Sequence, residues 1–235
     1  MGRFVFLFLL VTSLAQAQAH EPALAKGLDL LEQGRTSLDD TKLATARAYF
    51  TDVTEKDSTN FADWYALARV QYYQAEAFSE HNAKKDAERA LDDAITSVQR
   101  AIAINDKSAD AHSLLADLYG RKISFGGLMA GAKFGPKSDA ENKKALAFDP
   151  NNPRVHASLG RQYLHAPKMF GGDIDKAIAQ FKQATELDPK SDEAFVWLAV
   201  AYRKKGDTAD AGKALQEALR LNPQSQLVHN ADKMK

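Results

Sequence analysis

DEAFVWLAVAYRKKGDTADAGKALQEALRLNP, residues Asp192 to Pro223, sets small and large residues at fixed offsets. Phe195, Leu198, Ala199 and Tyr202 share one face of a first helix. Gly206 interrupts the chain, Asp207 and Asp210 form a capping pair, and a second helix presents Ala211, Leu215 and Ala218 before Pro223. Two helices this short cannot bury their apolar stripes alone, so the pattern requires neighbours of the same kind.

The neighbours lie upstream. His156, Leu159, Gly160 and Tyr163 repeat the first-helix places, with Ala177, Phe181, Ala184 and Pro189 in the second. Before them come His112, Leu115, Ala116 and Tyr119, ending in Ala145 and Pro150. Earlier still are Trp64, Leu67 and Ala68, followed by Ala94, Val98 and Ala101, with Asp106 where proline is expected. Ala46, Phe50 and Val53 form a further second helix, which implies a degenerate first unit whose leading helix lies within about Pro22 to Gly34. The register resembles the tetratricopeptide repeat (TPR), a helix-turn-helix unit of 34 residues. Spacings of 48 (Leu67 to Leu115), 44 (Leu115 to Leu159) and 39 (Leu159 to Leu198) leave insertions of 14, 10 and 5 residues. All three fall between the two helices of a unit, so they project from one edge of the stack.

The resemblance implies an all-α, right-handed α-solenoid of TPR hairpins with elongated turns inside the repeats. It divides the chain into a signal peptide (1–19), a degenerate hairpin (20–60), a unit with long helices (61–108), a unit with a Gly-rich insert (109–152), a unit with a Phe-Gly-Gly insert (153–191), a consensus-length unit (192–225) and a tail (226–235). Ala or Gly at 68, 116, 160 and 199 lets the paired helices approach closely, so a bulky residue at Gly160 is expected to overpack that crossing.

Composition supports the helical reading and excludes other classes. The chain has 40 alanines in 235 residues, against few β-branched and aromatic residues. Lys+Arg 31 balances Asp+Glu 31, which argues against nucleic-acid binding by bulk electrostatics. With no cysteine, the chain has no disulfide framework, no Cys-ligated zinc, no thiol nucleophile and no thiol-borne lipid. Arg3, the apolar run Phe4 to Val11 and the sites Ala15-Gln16-Ala17 and Ala17-Gln18-Ala19 read as a cleaved secretory signal, with either site usable. The expected location is periplasmic or secreted, without stable membrane insertion after cleavage.

The 14-residue insertion, Gln74 to Asp93, is polar and helix-friendly and is expected to lengthen both helices by about two turns each. The other two inserts share Phe-Gly-Gly, as Phe125-Gly126-Gly127 and Phe170-Gly171-Gly172, in successive units on one edge. Phe125, Leu128, Met129, Phe134, Met169 and Phe170 are therefore expected to form one apolar cluster. Two uses stand open for it: sealing the solenoid's own edge, or docking a partner, a sister subunit or an apolar ligand. The stretch Ala166-Pro167-Lys168-Met169-Phe170-Gly171-Gly172-Asp173 is similar to loops of bacterial exported TPR proteins, including periplasmic components associated with TRAP-type (tripartite ATP-independent) transporters. That family's component is typically a lipid-anchored oligomer, and this chain has no cysteine to carry the lipid.

In TPR proteins first-helix positions line a concave groove. Carried onto this register, they give Tyr65, Arg69, Tyr72 and Tyr73; Asp110, Ser113, Asp117 and Arg121; Arg154, Arg161, Leu164 and His165; and Glu193, Arg203 and Lys204. Arginine forks hold carboxylates and tyrosines give rigid contact area, so the expected ligand is an extended or C-terminal peptide of acidic character. The chaperone-type carboxylate clamp needs asparagine at the ninth position, where this chain has Arg69, Asp117, Arg161 and Val200.

No catalytic pattern survives inspection. Gly126 to Gly131 has phosphate-loop spacing, but Ala132-Lys133-Phe134 follows it, and H-E-x-x-H, G-x-S-x-G and G-x-G-x-x-G are all missing. Neither a cofactor nor a metal site is expected. His112 and His156 share the fourth position with Trp64 and Phe195 and read as packing residues. The chain is thus expected to be a non-catalytic scaffold for a protein or peptide partner, with self-association through the Phe-Gly-Gly edge a further expectation. The alternative is an oligomerising transport accessory that handles a small apolar ligand.

Overall fold

The computed structural model describes residues 24–231, so the signal-peptide reading of 1–19 lies outside the described residues. Helices account for nearly all of this span, and no strand occurs among the described residues. In chain order they are α1 (24–37), α2 (Asp40–Lys56), α3 (Phe61–Glu80), α4 (Lys84–Ile104), α5 (Ala109–Phe148), α6 (Pro153–His165), α7 (Ile174–Leu187), α8 (Asp192–Lys205), α9 (Thr208–Leu221) and α10 (Gln226–Asn230). Each helix packs on those next to it in sequence, α3 on α4, α6 on α7, α8 on α9, which makes a stack of hairpins with a core running along it.

Local sequence fixes where the helices begin. Asp39, Asn60, Ser108, Asn152, Asp173, Ser191, Asp207 and Ser225 all accept hydrogen bonds from first-turn amides, as N-caps do. The helices α3 and α4 run 20 and 21 residues against 14 each for α8 and α9, so the polar insert is taken up as nearly two extra turns per helix.

Small residues sit at the crossings. Ala68 and Ala199 are fully buried, and a Cβ placed on Gly160 would lie 2.6–2.8 Å from three ring atoms of the buried Phe181. Three of the four fourth-position residues, all but Phe195, reveal a recurring contact: the ring nitrogen bonds the carbonyl six residues earlier, in the turn between units. Trp64 Nε1 donates to Ser58 at 3.0 Å, His112 Nε2 pairs with Asp106 at 2.9 Å, and His156 Nε2 with Pro150 at 2.8 Å. Both histidines are buried packing residues.

The same contact recurs where none is expected: His229 Nε2 pairs with the Pro223 carbonyl at 3.1 Å. Together with the Ser225 cap and buried Val228, it makes α10 the opening turn of another first helix rather than an irregular tail.

The Gly-rich insert is also not an open loop. Residues 109–126 continue the first limb of α5, the chain reverses at Gly127 (φ 61°, ψ −146°), and the second limb runs back through Pro136. Alanines and glycines flanked by helix-forming residues follow the adjacent helices, and only Gly127 carries the positive φ that the reversal needs. In the second insert, Gly171 supplies the positive φ (90°), while a Cβ on Gly172 would lie 1.8 Å from the Ala166 carbonyl oxygen.

Candidate functional site: a closed central cavity

The first hairpin meets the last. Arg35 of α1 donates to both carboxylate oxygens of Asp192 at the start of α8, at 3.2 and 3.4 Å, and Asn222 donates to the same carboxylate at 2.9 Å. Tyr73 of α3 donates to Glu193 of α8 at 3.0 Å. These contacts bridge 157 and 120 residues of sequence, so the solenoid curls into a ring whose concave face lines a half-open cavity of about 380 Å³.

Tyr65, Arg69, Tyr72, Tyr73, Asp117, Arg154 and Arg161 all line this cavity. Its arginines are largely matched by the cavity's own acids. Arg161 forms a fork on Asp117 and reaches Glu193 at 3.4 Å, with its guanidinium 5.7 Å from the centre of the Trp197 ring. Arg154 bonds Asp110 at 3.3 Å. Burial pushes the Glu193 carboxyl up, but Arg161, Arg35 and the Tyr73 hydroxyl outweigh it and hold the group below its ordinary value. Burial pushes the Tyr65 phenol up to about 12 and raises Tyr72 and Tyr73 as well, so all three present protonated hydroxyls at neutral pH.

Arg69 is different. It projects into the cavity beside Tyr65 and Tyr73, and among the described residues no acid lies within ion-pair distance of it. It also lowers the carboxyl values of Glu32 and Glu193 from farther away.

Asp110, Ser113 and Glu193 line the cavity too, whereas the remaining predicted groove residues lie elsewhere. Arg121 pairs with Glu76 at 2.7 Å, Lys204 donates to the Leu164 carbonyl at 2.9 Å, and Arg203 donates to the Ala231 carbonyl at 2.8 Å. His165 stands edge-on to Trp197 at 5.6 Å; its outer side is open, yet desolvation on the inner side and the cations Lys204, Arg121 and Arg161 push it down to about 4. Beside these residues, burial raises the Glu76 carboxyl against the pull of Arg121, in a smaller cavity of about 60 Å³ between α3, α8 and α10.

Sequence reading missed Glu32 and Arg35, which enter the cavity from the degenerate first unit. Their only signal is the Glu-x-x-Arg spacing of a helical ion pair, which carries no information about a partner on α8.

The expected apolar edge is not one cluster. Phe125 and Phe134 fold onto the core, Phe134 stacking 5.6 Å from Tyr119. Leu128, Met129, Met169 and Phe170 remain 77%, 81%, 82% and 62% exposed. The reason is position: Phe125 and Phe134 lie on the limbs of α5 that pack against the core, whereas Leu128 and Met129 follow directly on the reversal at Gly127, and Met169 and Phe170 sit in the single turn between α6 and α7. Among the described residues there is no group of three or more His, Asp or Glu able to hold a metal, and no helix long and apolar enough to cross a membrane.

Comparison with known proteins supports the repeat reading. Residues 168–226 match the tetratricopeptide repeat model, and residues 25–169 match the model described as Regulator of microtubule dynamics protein 1-3. The chain is 28% identical over 196 residues to Regulator of microtubule dynamics protein 3 of Rattus norvegicus, covering 77% of this chain and 36% of that protein. It is 44% identical over 54 residues to cellulose synthase operon protein C of Escherichia coli K12, covering 23% and 5%. The chain thus spans about a third or less of the length of these relatives. A thermophilic TPR protein of Thermus thermophilus superposes with a TM-score of 0.67 at 19% identity, covering 91% of this chain and 99% of that one. The HusA haemophore of Porphyromonas gingivalis gives 0.57 at 18%, covering 89% and 94%. At these identities the structures speak for the fold alone, an all-α TPR solenoid. From the match over residues 25–169, the chain belongs to the family described as Regulator of microtubule dynamics protein 1-3, built on TPR hairpins of the kind that serve as protein-interaction scaffolds.

Proposed function

We propose that this protein is a non-catalytic, exported TPR adaptor that receives an acidic chain end of a protein partner in its central cavity. The observation that carries the reading is Arg69, the one arginine of the cavity lining without an acidic partner among the described residues, beside the hydroxyl of Tyr65. A carboxylate entering the cavity meets a guanidinium fork and the Tyr65 phenol as donors, the combination that gives strong charge-assisted hydrogen bonds. The volume of about 380 Å³ lies at the lower end of ligand sites, which suits a chain terminus rather than a long extended peptide. Matched arginines elsewhere in the ring argue against an acidic segment running along the whole groove. Export rests on the pattern of residues 1–19, and fractionation of the native cell tests it separately.

The binding test uses a fluorescent peptide ending in Asp-Glu with a free carboxylate, its amidated counterpart, and Arg69→Met. Affinity for the free acid, weakened at least tenfold by amidation and by Arg69→Met, supports the reading. Equal binding of both peptides, or none, overturns it.

A further inference from the structure

The four apolar side chains left outside the core stand in a distinctive charge setting. Leu128 and Met129 cap the reversal inside α5, while Met169 and Phe170 cap the turn between α6 and α7. Both are turns within hairpins, and the two hairpins are consecutive and packed together, so both tips project from one edge. From residue 118 to 138 the sequence has four basic residues and no acid, and from 150 to 172 three basic residues and no acid, in a chain whose overall charge is zero. Arg121 and Lys122 of the first stretch are bound to Glu76 and Asp92, and Arg154 and Arg161 of the second to Asp110 and Asp117, but Lys133, Lys137 and Lys168 have no acidic partner among the described residues. Lys133 and Lys137 lie against the rings of Phe134 and Tyr119, 5.0–5.9 Å from the centroids, which keeps them beside the first tip.

We propose that this edge docks the protein on an anionic lipid surface, with Leu128, Met129, Met169 and Phe170 entering the interface and Lys133, Lys137 and Lys168 facing the headgroups. The charge determines the sign of the partner, and the shape determines its kind. The apolar residues are protruding tips with little intramolecular support, not a flat or grooved patch that a folded partner could match. A bilayer interface accepts such tips, and unbranched methionine adapts to it. Basic residues close to an anionic leaflet each strengthen attachment about fivefold. This surface lies outside the central cavity and does not depend on the ligand proposed there.

The absence of native cysteine makes the test local, because a single introduced thiol can carry an environment-sensitive dye. Full-length Met129→Cys and Met169→Cys are labelled and compared with Lys107→Cys, which sits in a turn between hairpins on the opposite edge. Vesicles of phosphatidylcholine with about 30% phosphatidylserine should shift the emission to the blue at 129 and 169, with no change at 107 and none on phosphatidylcholine alone. Replacing Lys133, Lys137 and Lys168 together with glutamine should weaken the response on the order of a hundredfold, with an unchanged melting temperature. Attachment through another part of the chain leaves 129 and 169 unshifted. That result overturns the proposal, as does an equal shift at 107, or a response to soluble polyglutamate but not to vesicles.

Discussion

Replacing Arg161 with methionine keeps an unbranched side chain while removing the guanidinium that stands over Trp197 and is shared by Asp117 and Glu193. The side chains of these three residues are only 15%, 11% and 23% exposed, so the two carboxylates would be left in a poorly hydrated site. Breaking a buried pair from one side costs about 3–5 kcal/mol, and the residual exposure places this case near 3. For a protein of this size each kcal/mol lowers the melting temperature by about 2–4 °C, so Arg161→Met should melt about 6–12 °C lower at pH 7. Adding Asp117→Asn removes one uncompensated charge and should restore about half of the loss.

The pH dependence has a definite sign. In the native protein Glu193 is held below its ordinary value, so its contribution is present above that value and is lost as pH falls through the lowered one. Without Arg161 the lowering shrinks. The deficit of the variant should therefore be full near neutrality and smaller at an acid pH below the lowered native value, where Glu193 is protonated in both proteins. Thermal unfolding by circular dichroism at both pH values measures it. A loss under about 2 °C, or an equal loss at both, would refute the view that these charges hold the ring together rather than await a ligand.

Other perturbations test separate parts of the structure. Gly160→Ala places a Cβ within 2.8 Å of Phe181 and should destabilise by about 1–3 kcal/mol less about 1 kcal/mol of helix propensity; in a Phe181→Leu background the same change should be neutral or stabilising in urea. Gly172→Ala drives a Cβ into the Ala166 carbonyl and should speed hydrogen exchange at the Asp173 amide, which bonds Tyr163, while leaving α8 and α9 unaffected. Arg35→Ala opens the clasp to Asp192 and Asn222. Spin labels at the exposed positions Gln33 and Gln224 should then report a longer and broader distance, and an unchanged distribution would show that the ring closes without it.

The repeat was legible because it is written in local spacing. Leu, a small residue and Tyr at fixed offsets, with a cap before and a proline after, specify each hairpin whatever surrounds it, and so do the placements of Gly160 against Phe181 and of buried His112 and His156. The tail shows the same grammar, with Ser225 and His229 repeating the places of Ser191 and Phe195, though a five-residue helix is too short to stand out by periodicity. The second Phe-Gly-Gly stretch was legible as a turn. The first was not, because glycine permits a reversal without requiring one, and only the packing of α5 placed that reversal at Gly127 alone.

What the sequence determined about this protein is therefore the hairpin, its repetition and the residues that face inward. The tertiary structure decided what those residues do. Small rotations per hairpin add up along the stack until Arg35 meets Asp192 and Tyr73 meets Glu193, closing a groove into a cavity. Charges that a single unit presents as ligand-binding then find partners on adjacent units, Arg154 on Asp110 and Arg161 on Asp117 and Glu193. Arg69 has none among the described residues, and no local pattern distinguishes it from Arg161, because ion pairing depends on which side chains of the neighbouring units the stacking brings within reach.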